Sequence, residues 1–313
     1  MNSARVEKIN NLMRGHDTLF AARTKKDEEI IMKNNKAMHR LVKAFMYTIC
    51  MSNGSWIASH FMSRLRDDAA IVPVYMPFKV ETWTQFTWSV MIESVFPLLW
   101  IGYGHLTLDM TIATYYANSR TQLKIIKYNL EHLFDRNVPL NMSASHSYVD
   151  EVDTTVRERF IHYVQRYDMV VWYTRQVDRV FKGAMIFQIL SSCVVYCITV
   201  IKISQSDARK DSAALIFLLL FFVVMLSQVF VYCYYGGLVE YESKLLNDSL
   251  YLSDWTSASP AFRRMLLTAM CRWLRPLTPR AAHSIPLSLT TFFMIMRSAY
   301  SLYTVLVSTA QKG

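Results

Sequence analysis

Apolar stretches with at most one charge alternate along this chain with charged stretches that carry a helical apolar stripe. Five apolar stretches stand out, over residues 44–62, 82–108, 183–201, 213–239 and 286–309. At 1.5 Å per residue, each is about long enough to cross the roughly 30 Å hydrocarbon core of a bilayer. The pattern predicts an all-α fold: a polytopic membrane helix bundle with five spans. Between the second and third spans, Ile112, Tyr115, Tyr116, Leu123, Ile126, Leu130 and Leu133 recur at helical spacing, interleaved with Arg120, Lys124 and Lys127. A second such stretch, over 148–181, carries Phe160, Val164, Val171, Val177 and Val180. Both read as long helical extensions outside the bilayer. The chain accordingly divides into a polar segment (1–43), two spans with an outer loop (44–108), helical extensions (109–182), two further spans (183–239), an anchor region (240–285) and a final helix with its terminus (286–313).

The spans are not uniformly apolar. The first carries Ser52, Asn53, Gly54, Ser55 and Ser59 around Trp56. Small and hydroxyl residues suit a tight helix seam, the commoner use, and equally the wall of a small-ligand pocket. Trp83, Trp88 and Trp100 sit towards the ends of the second span, as an aromatic belt places them. Glu93 lies inside that span, where an unpaired carboxylate is costly, and Pro97 is expected to kink it. Arg297 interrupts the last span.

Charge sets an orientation. The segments 1–43, 106–182 and 237–286 hold ten, ten and six lysines and arginines, against seven on the opposite side. The positive-inside rule then puts the N-terminus in the cytosol and the C-terminus outside. This distribution accounts for the net charge of +10, so nucleic acid is not an expected partner. Hydrophobic residues make up 52% of the chain and its five cysteines show no paired spacing, so neither a disulfide framework nor a metal site is expected. No nucleophile–base set, glycine-rich phosphate loop or metal-ligand motif is present, and neither an enzyme nor a cofactor is expected.

The last third carries an ordered series: Tyr232-Cys233, then Gly236 and Ser243, then Tyr251 ahead of Ser253-Asp254-Trp255, and finally Ala299-Tyr300-Ser301. Upstream stand Pro73 to Pro77, Leu108-Asp109, the run Arg159 to Asp168, Val177 to Phe181, and Gln188 to Ser191. Together these resemble the insect odorant receptors. That family has seven spans, so the resemblance implies that the first two are missing here and that 1–43 corresponds to a first cytosolic loop. The final helix lacks the Thr-Tyr and Gln-Phe motif of the related gustatory receptors.

The resemblance implies an odorant-gated cation channel in the plasma membrane of sensory-neuron dendrites. It further implies assembly with a shared co-receptor subunit as a hetero-oligomer, expected to be a tetramer. The partners would be a small volatile odorant, the co-receptor and membrane lipid. From depth, aromatic content and the family's pocket position, the expected odorant contacts are Ser52, Ser55, Trp56 and Ser59, facing Met91 and Val95, with Phe217 and Phe221. The expected pore face carries Ser301, Val305 and Ser308. Such a face holds water, and a ring of valines closes it by dewetting; a hydroxyl seam between packed helices is the equal alternative. Two competing readings are a non-functional truncated receptor, and a G-protein-coupled receptor, which needs an external N-terminus and a different motif set.

Overall fold

In the computed structural model, residues 7, 9–11, 20–66, 82–92, 96–134, 148–205, 212–281 and 285–310 are described. They form eight helices and one small hairpin, in the order α1 (Lys25–Arg66), α2 (Trp83–Val90), α3 (Phe96–Glu131), α4 (Tyr148–Gln205), α5 (Ser212–Lys244), α6 (Leu246–Leu252), α7 (Pro260–Trp273), β1 (Arg280–Ala281), β2 (Ile285–Pro286) and α8 (Leu289–Ala310). The helices begin where local chemistry allows. At the start of α1 the Thr24 hydroxyl accepts from Asp27 N–H at 3.1 Å, and the Asp27 carboxylate accepts from Thr24 N–H at 3.3 Å. This reciprocal cap satisfies donors that the helix itself leaves orphaned. Thr82 and Gln85 repeat the arrangement at α2, and Ser259 with Pro260 starts α7.

The second span is described in two pieces, on either side of residues 93–95. Helix α2 ends at Val90, a wider turn follows at 91–92, and Pro97 is the second residue of α3. Proline is tolerated in a first helical turn because its missing N–H would be unpaired there anyway. The final helix begins at Leu289, after a hairpin that pairs Arg280 with Pro286 and Ala281 with Ile285. Helix α4 is continuous through the expected extension and the third span; its 58 residues measure about 87 Å.

Packing divides into two compact units, 1–38 with 112–186 and 233–289, and 39–111 with 187–232 and 290–313. In the first, Trp273 meets Phe160 and Tyr167 at ring-centroid distances of 6.4 and 5.7 Å, and Phe160 meets Phe262 at 5.6 Å. Arg166 is fully buried there, donating to Gln122 at 2.6 and 3.0 Å and to the carbonyls of Phe20 and Ala21 at 3.3 Å. Asp27 docks α1 against α3 by accepting from Asn129 at 3.0 Å. Gly236 on α5 lies against Leu287: a methyl group at Gly236 would come within 2.5 Å of Leu287 Cβ and 2.7 Å of its carbonyl oxygen.

In the second unit, Tyr232 donates to the buried Asp109 carboxylate. Tyr196 donates to the Met225 carbonyl at 2.9 Å, and Gln188 to Gln228 at 3.3 Å. The Cys197 thiol meets the Ala299 carbonyl at 3.2 Å, seating the buried stripe Thr291, Ile295 and Ala299 of α8. Large apolar side chains are exposed along one stripe of α4, at Phe187, Leu190, Val194 and Ile198, and on α5 at Ile216, Leu219 and Val223. Soluble monomers rarely expose contiguous apolar stripes of this kind, whereas helices facing lipid require them. Both α4 and α5 carry windows long and apolar enough to cross a membrane. Trp83, Trp88 and Trp100 are all exposed.

Candidate functional site

The site is built on α1 and α5. Ser52, Ser55 and Ser59 recur at i, i+3 and i+7, so they form one stripe of α1, while Asn53, Trp56 and His60 form the adjoining one. The serine hydroxyls turn back into the helix: Ser55 donates to the Ser52 carbonyl at 2.8 Å and Ser59 to the Trp56 carbonyl at 2.7 Å. Ser52 and Ser59 are buried. The Ser55 and Ser59 hydroxyls spend their hydrogens locally and keep only acceptor capacity for anything else.

The second stripe carries the rings. The Trp56 ring lies 4.4 Å from Phe217 at 43°, and Phe217 stacks on Phe221 one turn later at 5.8 Å. On its other neighbour, Trp56 meets His60 edge-to-face at 4.6 Å. The geometry is that of favourable aromatic pairs. Around this cluster two polar atoms, Asn53 Nδ2 and His60 Nε2, are buried without a hydrogen-bond partner among the described residues. A buried nitrogen left unpaired carries a desolvation penalty of about 1–3 kcal/mol. A flat apolar molecule bearing one hydrogen-bonding group answers both needs, ring surface and partner.

The structure therefore brings together Trp56, Phe217 and Phe221, with Ser52, Ser55 and Ser59 on the neighbouring stripe of α1. Met91 follows α2 and is exposed; Val95 and Glu93 lie outside the described residues. Asn53 and His60 are additions. Their signal in the sequence was spacing alone, three before and four after Trp56 in a charge-free run.

On α8, Ser301, Val305 and Ser308 share one face at i, i+4 and i+7, and all three are exposed, Val305 by 59%. The Ser308 hydroxyl donates to the Val305 carbonyl at 2.9 Å and Thr304 to the Ser301 carbonyl at 2.8 Å. Local back-bonding of this kind leaves a hydroxyl face compatible with either water or another helix. Arg297 is also exposed.

Comparison with known proteins gives consistent results. A family model described as 7tm odorant receptor matches residues 1–300. Odorant receptor 2a of Drosophila melanogaster is 33% identical over 131 residues, which cover 42% of this chain and 33% of that protein. Odorant receptor 22b of the same species is 23% identical over 251 residues, covering 80% of this chain and 59% of that one. The matched segments thus span about a third to three fifths of these relatives' length. Among solved structures, the insect olfactory receptor OR5 from Machilis hrabei in complex with eugenol aligns with a TM-score of 0.78 at 14% identity, covering 98% of this chain and 75% of that one. A second structure of the insect olfactory receptor OR5 from Machilis hrabei aligns with a TM-score of 0.76 at 13% identity. At such identity these two establish a shared fold.

Proposed function

The chain belongs to the 7tm odorant receptor family, and from that premise we propose that it is the odorant-binding subunit of a ligand-gated cation channel. The observation that carries the reading is the Trp56–Phe217–Phe221 ring cluster with the buried nitrogens of Asn53 and His60 beside it. The ligand is a small volatile molecule held by ring contact and one hydrogen bond; the structural neighbour was solved with eugenol. In this proposal the chain works with a shared co-receptor in a tetramer of the dendritic plasma membrane. Its N-terminus is cytosolic and its C-terminus external, as the lysine and arginine bias supports.

The exposed face of α8 supports the channel half of the proposal. Placed against the same face of neighbouring subunits, Ser301 and Ser308 line a water path and Val305 narrows it. A ring of apolar side chains in a narrow pore excludes water when closed, and a small helix tilt rewets it. The test is a cysteine at Val305 in cells that also express the co-receptor. Odorant-evoked current through Val305→Cys complexes is expected to fall on addition of a water-soluble thiol reagent, and current through the unsubstituted complex to persist. Equal insensitivity of both returns this face to simple packing.

Orientation has its own test. Epitope tags after Met1 and near Ala258 are expected to stay hidden on intact cells and to stain after permeabilisation, while a tag after Gly313 stains without it. Surface staining of the Ala258 tag on intact cells contradicts the assigned topology.

A further inference from the structure

Three basic side chains on one face of α3 converge on a single carboxylate of α5. Arg120, Lys124 and Lys127 are spaced i, i+4 and i+7, a like-charge stripe that is unfavourable on a helix. Glu242 is their shared partner: Arg120 Nε and Lys124 Nζ lie 3.5 Å from its Oε1, and Lys127 Nζ lies 3.1 Å from its Oε2. One negative charge thus faces three positive ones. Two other carboxylates of these helices are engaged elsewhere: Glu131 accepts from the Ser249 hydroxyl at 2.9 Å, and Glu240 pairs with Lys244.

The arrangement has a back and a front. The Glu242 side chain is only 4% exposed, whereas those of Arg120, Lys124 and Lys127 are 26, 37 and 26% exposed. The carboxylate therefore gathers the cations from behind, and their outer surfaces remain open to a second anion. Arg120 Nε is buried and has no hydrogen-bond partner among the described residues. By sequence, Glu242 comes three residues after Val239, the last residue of the charge-free run 213–239. This places the cluster at a membrane edge, on the side that the charge distribution assigns to the cytosol.

We propose that Arg120, Lys124 and Lys127, held by Glu242, form a binding site for a phosphate-ester anion: an anionic phospholipid headgroup or a soluble inositol phosphate. Phosphate oxygens supply several acceptors in a small volume, and guanidinium and ammonium donors match them. Basic pockets at the cytosolic ends of membrane helices take anionic headgroups on this principle. The electrostatics agree. Burial, and then the neighbouring Arg120 charge, hold the Lys124 pKa below its ordinary value despite the pull of Glu242. Its ammonium is under-compensated, and a second anion relieves it. The ligand would sit on the basic face of α3, apart from Trp56, Phe217 and Phe221, so the inference stands independently of the odorant site.

The test uses the purified chain in phosphatidylcholine nanodiscs. Three probes are titrated: dioctanoyl phosphatidylinositol 4,5-bisphosphate, inositol 1,4,5-trisphosphate, and dioctanoyl phosphatidylcholine as the neutral control. The bisphosphate lipid is expected to bind and the control not to. Lys124→Gln is expected to weaken binding about fivefold, the effect of one basic group near an anionic surface. Glu242→Gln is expected to tighten it by a similar factor, the opposite sign. Binding of the lipid alone assigns a headgroup site, and equal binding of the trisphosphate assigns a soluble ligand. If Glu242→Gln fails to fold, the solvent-facing Lys124→Gln carries the test. A lowered melting temperature for Lys124→Gln with unchanged affinity marks a purely structural ion network and overturns the proposal, as does absence of binding by the folded chain.

Discussion

Alanine at Gly236 is expected to destabilise the folded chain by about 1–3 kcal/mol, the usual cost of forcing a methyl group into a filled site. Alanine at Gly237, the next residue, is expected to be neutral or slightly stabilising. Both glycines sit within α5, where alanine is intrinsically favoured over glycine by about 1 kcal/mol. Their surroundings separate them. The new methyl at Gly236 meets Leu287 Cβ at 2.5 Å and the Leu287 carbonyl oxygen at 2.7 Å, while at Gly237 the nearest atom is Ser288 Cα at 3.9 Å. The Leu287 backbone cannot rotate aside as a side-chain tip would. Its N–H donates to the Pro279 carbonyl at 3.0 Å, and its side chain is buried. Thermal unfolding of the two purified variants checks the pair. Similar melting temperatures for both would show that the segment before α8 yields freely, contrary to this packing.

Trp56→Ala is expected to raise the odorant concentration needed for half-maximal current by tenfold or more, with surface abundance held. Tenfold corresponds to about 1.4 kcal/mol, within reach of a lost aromatic contact together with its buried area. The same substitution removes the ring that joins His60 to Phe217. Trp56→Phe, which keeps an aromatic face, is expected to recover part of the sensitivity. His60→Phe keeps the ring packing and removes the nitrogen, so it is expected to weaken responses to hydroxyl-bearing odorants while sparing matched hydrocarbons. Loss of surface protein in Trp56→Ala, in step with the loss of current, would make Trp56 a packing residue and remove it from the odorant site.

Periodicity made the helices legible, because a 3.6-residue apolar stripe and a long charge-free run each have one economical structural solution. The ordered C-terminal residues were legible as a resemblance, and the structure supplies their physical basis. Tyr232 holds Asp109, Gly236 admits Leu287, the Ser243 hydroxyl accepts from Leu277 N–H at 2.9 Å, and the Ala299 carbonyl takes the Cys197 thiol. The hairpin at 280–286 was not legible. Two-residue strands leave no period-2 pattern, and Pro279 and Pro286 mark only that a helix stops there.

The candidate site was half legible. Trp56, Phe217 and Phe221 followed from depth and aromatic content. Asn53 and His60 did not, because whether a buried nitrogen finds a partner depends on which helix packs beside it. The partners of Glu242 are remote in sequence for the same reason: Lys127 is 115 residues away, and no local pattern links the two.

The central claim is that this chain confers odorant-gated current. Its most direct test is whole-cell recording from cells expressing the chain with the co-receptor, against cells expressing the co-receptor alone, with surface protein quantified in both. Cation currents evoked by a subset of volatile odorants are expected only when this chain is present. Identical responses in the two cell types, with this chain at the surface and bound to the co-receptor, would contradict it.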